Sequence, residues 1–145
     1  MANNTITSID SVYMLSVGGL YNTPVQLQGY MADRAFETDA VDIAELVMGV
    51  DGILSAGFVP YMLRQTVSIM PDSPSSEIFE NWIEAERTNR VKLVAQGTII
   101  IPSTSRQYTM TDGYLTSITA IPSANRVLQG RPFTITWNSI SAAPL

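Results

Sequence analysis

The segment from Met48 to Pro60 constrains the fold of this chain more than any other part of the sequence. Two apolar runs meet there at Asp51-Gly52, a dipeptide that favours the positive φ angles of a type I′ hairpin turn. The sequence therefore predicts a β-hairpin over about residues 41–59, with apolar residues on both faces. A lone hairpin of this kind is marginally stable in water and invites further pairing. Its burial must come from the core of its own domain or from another subunit, and we favour another subunit.

Charged residues are scarce for a surface of this size. The chain has 145 residues, which predicts one domain over 1–145, and 46% of them are hydrophobic. Only 14% are charged, against about one quarter in an average soluble domain. The deficit indicates that much of the surface is covered by other subunits. The alternative is a β-rich monomer whose outer faces carry Thr and Ser.

Acidic residues outnumber basic residues, and many of them cluster. The chain carries 13 acidic and 8 basic residues, for a formal net charge of −5. One cluster includes a single base, Arg34, and its acidic members are Asp33, Glu37, Asp39, Asp42, Glu45 and Asp51. This cluster argues against ordinary nucleic-acid binding, which needs a basic patch.

The sequence offers little for catalysis or cofactor binding. Cys and His are absent, which excludes disulfides, thiolate metal sites and catalytic constellations that need His. No motif surrounds the single lysine, Lys92, and the pair Glu37 and Asp39 is better explained as a solvated acidic loop. The spacing of Asp39, Asp42 and Glu45 is not that of a calcium-binding loop. We therefore predict no catalytic residues, no metal and no cofactor, so the chain is not expected to be an enzyme.

No targeting or membrane-spanning segment is visible in the sequence. Residues 1–10 are polar and predict a flexible arm, without the apolar core of a signal peptide. The longest apolar stretch, about residues 56–63, is far too short to span a bilayer. We expect a soluble protein that is made in a cytoplasm.

One helix is predicted with clear start signals. Ser73 is a good N-cap, and Pro74 suits the first helical position because its missing N–H is not needed there. We therefore predict a helix over about residues 74–89. Its apolar stripe includes Phe79 and Trp82, which should face the core.

Strands are expected through most of the remaining chain. Phe133, Ile135 and Trp137 alternate with polar residues, which places them on an inward face. Gly113 predicts a bulge in a long strand. Residues 41–50 fit a helix by composition, but the turn that follows favours a strand. Strands are predicted at residues 12–17, 23–30, 41–50, 53–70 with a break at Pro60, 91–101, 107–119 and 132–140.

These elements predict a mainly β fold. The long strands and hairpins favour an antiparallel β-sandwich or barrel with one flanking α-helix and a protruding β-hairpin. The predicted core aromatic residues are Phe79, Trp82, Phe133 and Trp137.

The order of these segments resembles the tail tube proteins of long-tailed bacteriophages with contractile tails. The likeness runs from about residue 10 to the end, and its sharpest parts are Met48–Pro60 and Asp72–Trp82. Related families include the tube proteins of type VI secretion and of contractile bacteriocins. The resemblance implies hexameric rings that stack into a hollow tube, which conducts DNA into the host without binding it specifically.

The resemblance also implies partners and a location. The partners would be further copies of the chain and the tail sheath, tape measure, baseplate and terminator proteins, with no membrane. The protein would reside in the virion tail after assembly in the cytoplasm of the host bacterium.

Specific residues acquire roles from this resemblance. The contact between rings would be made by the hairpin residues Met48, Gly49, Val50, Asp51, Gly52, Ile53 and Leu54. The candidate acids that line the lumen and repel DNA are Glu37, Asp39, Asp42 and Glu45. These acids could instead lie on the outer wall or in salt bridges between subunits.

The sequence leaves three alternative functions open. The first is another ring-forming tail component, such as a baseplate tube initiator or a tail terminator, and the second is a secretion-system tube. The third is a monomeric carbohydrate-binding β-sandwich that uses Trp82 or Trp137 as a sugar platform, which would require exposed indole rings.

Overall fold

The computed structural model describes residues 11–28, 30, 36–122, 124 and 126–145. The predicted flexible arm at 1–10 lies outside these residues. The described chain contains strands, one α-helix and one short 3₁₀ helix, Pro102–Thr104. The strands are β1 Val12–Val17, β2 Tyr21–Gln26, β3 Phe36–Thr38, β4 Ala44–Met48, β5 Leu54–Phe58, β6 Leu63–Ile69, β7 Ala95–Ile101, β8 Arg106–Ile118 and β9 Arg131–Pro144, and helix α1 is Ser76–Asn89.

Seven of the strands form one antiparallel sheet in the order β2-β1-β7-β8-β9-β6-β3. Three strands separate β1 from β6, which in a flat sheet would place them roughly 20 Å apart. The hydroxyl of Tyr13 on β1 nevertheless donates to Oε1 of Gln65 on β6 over 2.5 Å. The sheet therefore curls over its own inner face, and the predicted antiparallel β-sandwich or barrel with one flanking helix is confirmed.

The core fills the inner face of the curled sheet. The four predicted core aromatic residues are all buried, and the ring of Phe79 on α1 stacks on Phe133 with centroids 4.3 Å apart. Glycines on two strands make room for the indole of Trp137. A Cβ atom would meet Trp137 at 3.1 Å if added to Gly97 and at 2.4 Å if added to Gly113. The register of β7 and β8 shifts beside Gly113, where the sequence predicts a bulge.

A buried glutamine on β6 joins its own strand to four others inside this core. Oε1 of Gln65 accepts from Tyr13 and, over 3.3 Å, from the indole N–H of Trp137. Its amide group donates to the hydroxyl of Thr38 and the sulfur of Met110. Because a buried amide is costly only when its hydrogen bonds are unmade, these partners let a polar side chain occupy the core.

Helix α1 begins two residues later than predicted. The hydroxyl of Ser73 accepts from the backbone N–H of Ser75 over 3.2 Å and donates to the carbonyl of Gln28, so it organises the turn before the helix. The N-cap of the helix is Ser75, whose side chain accepts from the N–H of Gln28 over 2.6 Å. The predicted Ser73–Pro74 start is therefore wrong by two residues, because these serines bond to the segment after β2.

Candidate assembly surface

The hairpin that the sequence predicts at residues 41–59 is formed by β4 and β5, and we call residues 44–58 the arm. These two strands pair with each other, from Ala44 opposite Phe58 to Met48 opposite Leu54, and with no other described strand. All ten of their residues are exposed. The arm therefore projects from the domain without packing on it.

The two faces of the arm differ. Residues that lie opposite each other in an antiparallel pair point to the same face. This register puts one apolar set on a single face: Ala44, Leu46, Met48, Leu54, Ala56 and Phe58. Val47 shares the other face with Glu45, Ser55 and Gly57. The sequence predicts a hairpin that is apolar on both faces. Only the face that carries Leu46 and Phe58 is fully apolar, because Glu45 and Ser55 lie on the other.

The tip of the arm is not the type I′ turn that the sequence predicts. The N–H of Gly49 donates to the carbonyl of Ile53, which closes a three-residue loop, and Gly52 donates back to Gly49. Gly52 has a φ of 84°, whereas Asp51 is not in the positive-φ region. Oδ1 of Asp51 instead accepts from the N–H of Ile53 over 3.2 Å. A loop of three residues that ends on a left-handed glycine replaces the expected pair of left-handed residues.

The four candidate lumen acids extend from the sheet edge into the arm. Glu37 lies on β3 opposite Thr66, and Glu45 lies on β4 opposite Gly57. Asp39 and Asp42 lie on the connection between these strands, and all four residues are exposed. The structure thus exposes all four along one stretch of chain from β3 to β4, and their orientation to a lumen stays a prediction.

A second exposed apolar surface was missed by the sequence reasoning. We call residues 119–130, which connect β8 to β9, the end loop. Ile121 is 78% exposed, Val127 is 70% exposed and Leu128 is 55% exposed. Arg126 is also exposed, and it makes no ion pair with any residue that the structure describes. One sequence signal for this surface was the apolar pair Val127-Leu128, which follows Arg126. The segment around it lacks the alternation of a strand.

Arg131 holds the end loop against the domain. Its side chain is buried and donates to the carbonyls of Thr119 and Ala120, over 3.0 Å and 2.9 Å from Nη2. Nη1 pairs with Oε1 of Glu80 on helix α1 over 2.5 Å. The guanidinium carbon lies 5.2 Å from the ring centroid of Phe133. One cation therefore ties the loop to the helix and to the core.

The single lysine, which was considered for chemistry, has structural partners. Nζ of Lys92 pairs with Oε1 of Glu86 over 2.7 Å and donates to the carbonyl of Leu115 over 2.8 Å.

Within the described ranges, no three Asp or Glu side chains are grouped closely enough to hold a metal ion. None of the described helices is long and apolar enough to cross a membrane.

The tryptophans do not form a sugar platform. Trp82 and Trp137 are fully buried, and both indole N–H groups are used inside the domain, by Glu86 and Gln65 respectively. A stacking platform needs an exposed ring face. The alternative of a carbohydrate-binding module on Trp82 or Trp137 is therefore wrong.

Solved structures that share this fold include three from contractile injection systems. The cap that terminates the tube of the anti-feeding prophage is 13% identical, with 100% of this chain and 95% of the cap chain covered and a TM-score of 0.63. A chain of the sheath-tube complex of an extracellular contractile injection system, PVC, is 15% identical over 92% and 88%, with a TM-score of 0.60. A chain of the anti-feeding prophage baseplate is 8% identical over 99% and 98%, with a TM-score of 0.62. The fold is thus one that subunits of contractile injection systems adopt.

The family follows from the sequence itself. The family model for tail fiber protein gp32 matches residues 4–141. The chain therefore belongs to the tail fiber protein gp32 family. The predicted resemblance to the tail tube proteins of contractile-tailed bacteriophages is confirmed. No curated protein sequence is significantly similar to it.

Proposed function

We propose that this chain is a tail tube subunit, of which six copies form a ring and successive rings stack into a hollow tube. The observation that carries the proposal is the arm, a two-stranded sheet whose residues are all exposed and whose apolar face nothing in the described domain covers. Such a hairpin is unstable in water on its own. A neighbouring subunit in the next ring would bury it, and a repeating contact of this heterologous kind builds a filament.

The remaining parts of the proposal concern what surrounds and passes through the tube. The tail sheath would surround it, with baseplate and terminator proteins at its ends and a tape measure protein inside it. Its role would be structural and not catalytic. The particle would assemble in the bacterial cytoplasm and become part of the virion tail.

DNA would move through the tube without binding to it. The segment from residue 36 to residue 62 carries five acidic residues and no basic residue. If Glu37, Asp39, Asp42 and Glu45 line the bore, their charge repels the phosphates over a Debye length of about 8 Å at physiological salt. Repulsion would keep the genome from sticking during ejection.

Electron microscopy of the purified chain tests the tube. We expect hollow rods of stacked sixfold rings, roughly 100 Å wide for a ring of domains of this size. Single rings that do not grow would favour a terminator or baseplate component instead. A dispersed monomer at high concentration, with the arm folded on its own domain, would refute assembly altogether.

A charge reversal in complete particles tests the lumen acids. We expect the double change Asp39→Lys and Asp42→Lys to slow DNA ejection while tail length and particle number stay normal. The matched control reverses two exposed acids elsewhere, Asp72 and Glu84. Equal ejection rates in both variants would place the acids away from the lumen.

A further inference from the structure

The charges of this chain are divided along its length. Residues 1–86 contain twelve of the thirteen acidic residues, whereas residues 87–145 contain six of the eight basic residues and one acid, Asp112. The arm belongs to the acidic part and ends in Asp51. The end loop belongs to the basic part and carries Arg126. The arm and the end loop, which are both exposed and apolar, therefore carry opposite charge.

The arm and the end loop also lie at opposite ends of the domain. Strand β6 starts at Leu63, directly after the arm and its short connection, and it ends at Ile69. Ile69 pairs with Arg131, the residue that follows the end loop. A strand of seven residues is about 20 Å long, so the base of the arm and the end loop are separated by the length of β6. All residues of β4 and β5 stay exposed, so a second copy arranged head to tail can supply the contact.

Parts of the end loop are held in place before a partner binds. Arg131 fixes the carbonyls of Thr119 and Ala120, next to Ile121, and a β-bridge pairs Ala124 with Leu128. Ile121 and Leu128 therefore lie at held points of the described backbone, which lowers the entropy lost when a partner binds.

We infer that the arm tip of one copy docks on the end loop of a second copy. Val50 and Ile53 contact Ile121, Val127 and Leu128, and the carboxylate of Asp51 pairs with Arg126. This inference rests on the proposed function and adds the acceptor site, so each domain receives an arm at one end and extends an arm from the other.

A groove elsewhere on the domain is a less suitable acceptor for the arm tip, because its charge has the same sign as that of the tip. The groove, of about 360 Å³, lies at the base of the arm, and its lining includes Tyr61, Met62 and Tyr114. It is apolar enough to hold a hydrophobic tip, but among the described residues that line it the charged one is an acid, Asp112. An acidic arm would meet like charge there, which disfavours docking.

Cross-linking between two pools of protein tests the inference, because the chain has no cysteine. One pool carries Val50→Cys and the other carries Val127→Cys, and a short bis-maleimide joins them after mixing and assembly. Controls pair Val50→Cys with Val91→Cys, an exposed position near the helix end, and with Met62→Cys at the groove. Docking holds the reacting thiols at a millimolar effective concentration, so the Val127→Cys product should exceed the Val91→Cys product by on the order of a hundredfold.

The outcomes separate this inference from the proposed function. Rods that form without the Val50–Val127 product, or that give the Met62→Cys product instead, overturn the docking site and leave the tube standing. Failure of the unmodified chain to assemble overturns both.

A charge exchange adds a second readout. Asp51→Lys and Arg126→Glu should each lower assembly several-fold, and the combined variant should restore it. No restoration would refute the ion pair.

Discussion

Two glycines decide how the largest side chain of the barrel is packed. Trp137 lies against Gly97 and Gly113, and a Cβ atom on Gly113 would come within 2.4 Å of the indole. We expect Gly113→Ala to lower the free energy of unfolding by about 1–3 kcal/mol, since the ring must move out of a close-packed core. Urea denaturation measures the loss. The control is Gly18→Ala, whose new atom would lie 3.5 Å from the nearest carbonyl. Equal losses would contradict the packing account.

Buried tyrosines make the fold sensitive to alkali. Burial raises the pKa of Tyr13 well above the ordinary value of 10.0, and Tyr30 adds to the shift; burial also raises the pKa of Tyr30. The unfolded chain releases these protons near pH 10, whereas the folded chain retains them. Stability should therefore be level below that pH and fall as the pH rises above it.

The Tyr13→Phe variant tests this alkaline loss. We expect a smaller decrease above pH 10, together with a cost of about 1 kcal/mol at neutral pH because Gln65 loses a hydrogen bond. Denaturation at a series of pH values measures both effects. An unchanged alkaline slope would show that Tyr13 does not contribute.

At the scale of elements, Arg131 couples helix α1 to the end loop. We expect Arg131→Met to cost about 1–3 kcal/mol because two loop carbonyls lose their donors. Adding Glu80→Ala to that variant should cost little more, since the pair is already broken, and a double-mutant cycle measures the difference. Losses that simply add would mean that the ion pair does not link the two elements.

At the scale of the whole molecule, the arm should be needed for assembly and not for folding. We expect replacement of residues 44–58 by a short Gly-Ser link to leave the thermal midpoint of the domain nearly unchanged, because these strands pair only with each other. The same variant should stay monomeric by light scattering under conditions where the intact chain forms rods. Rods formed without the arm, or a domain that unfolds without it, would contradict this expectation.

Local sequence patterns predicted much of this architecture. The alternation of Phe133, Ile135 and Trp137 identified an inward face because side chains in a strand alternate sides. The glycine turn marked the arm, although the number of left-handed residues in the turn depended on the hydrogen bonds of Asp51. Sequence signals also placed helix α1, although they started it two residues too early.

The sequence by itself determined the helix, one exposed apolar hairpin and the strands except β3, which lies in the acidic stretch and was not predicted. These properties depend on neighbours along the chain. Only the tertiary structure decided that Gln65 could be buried, that Arg131 holds a loop, and that the acidic arm and the basic end loop lie at opposite ends of β6. The reason is physical, because each of these depends on groups far apart in sequence that meet only when the sheet has curled and paired.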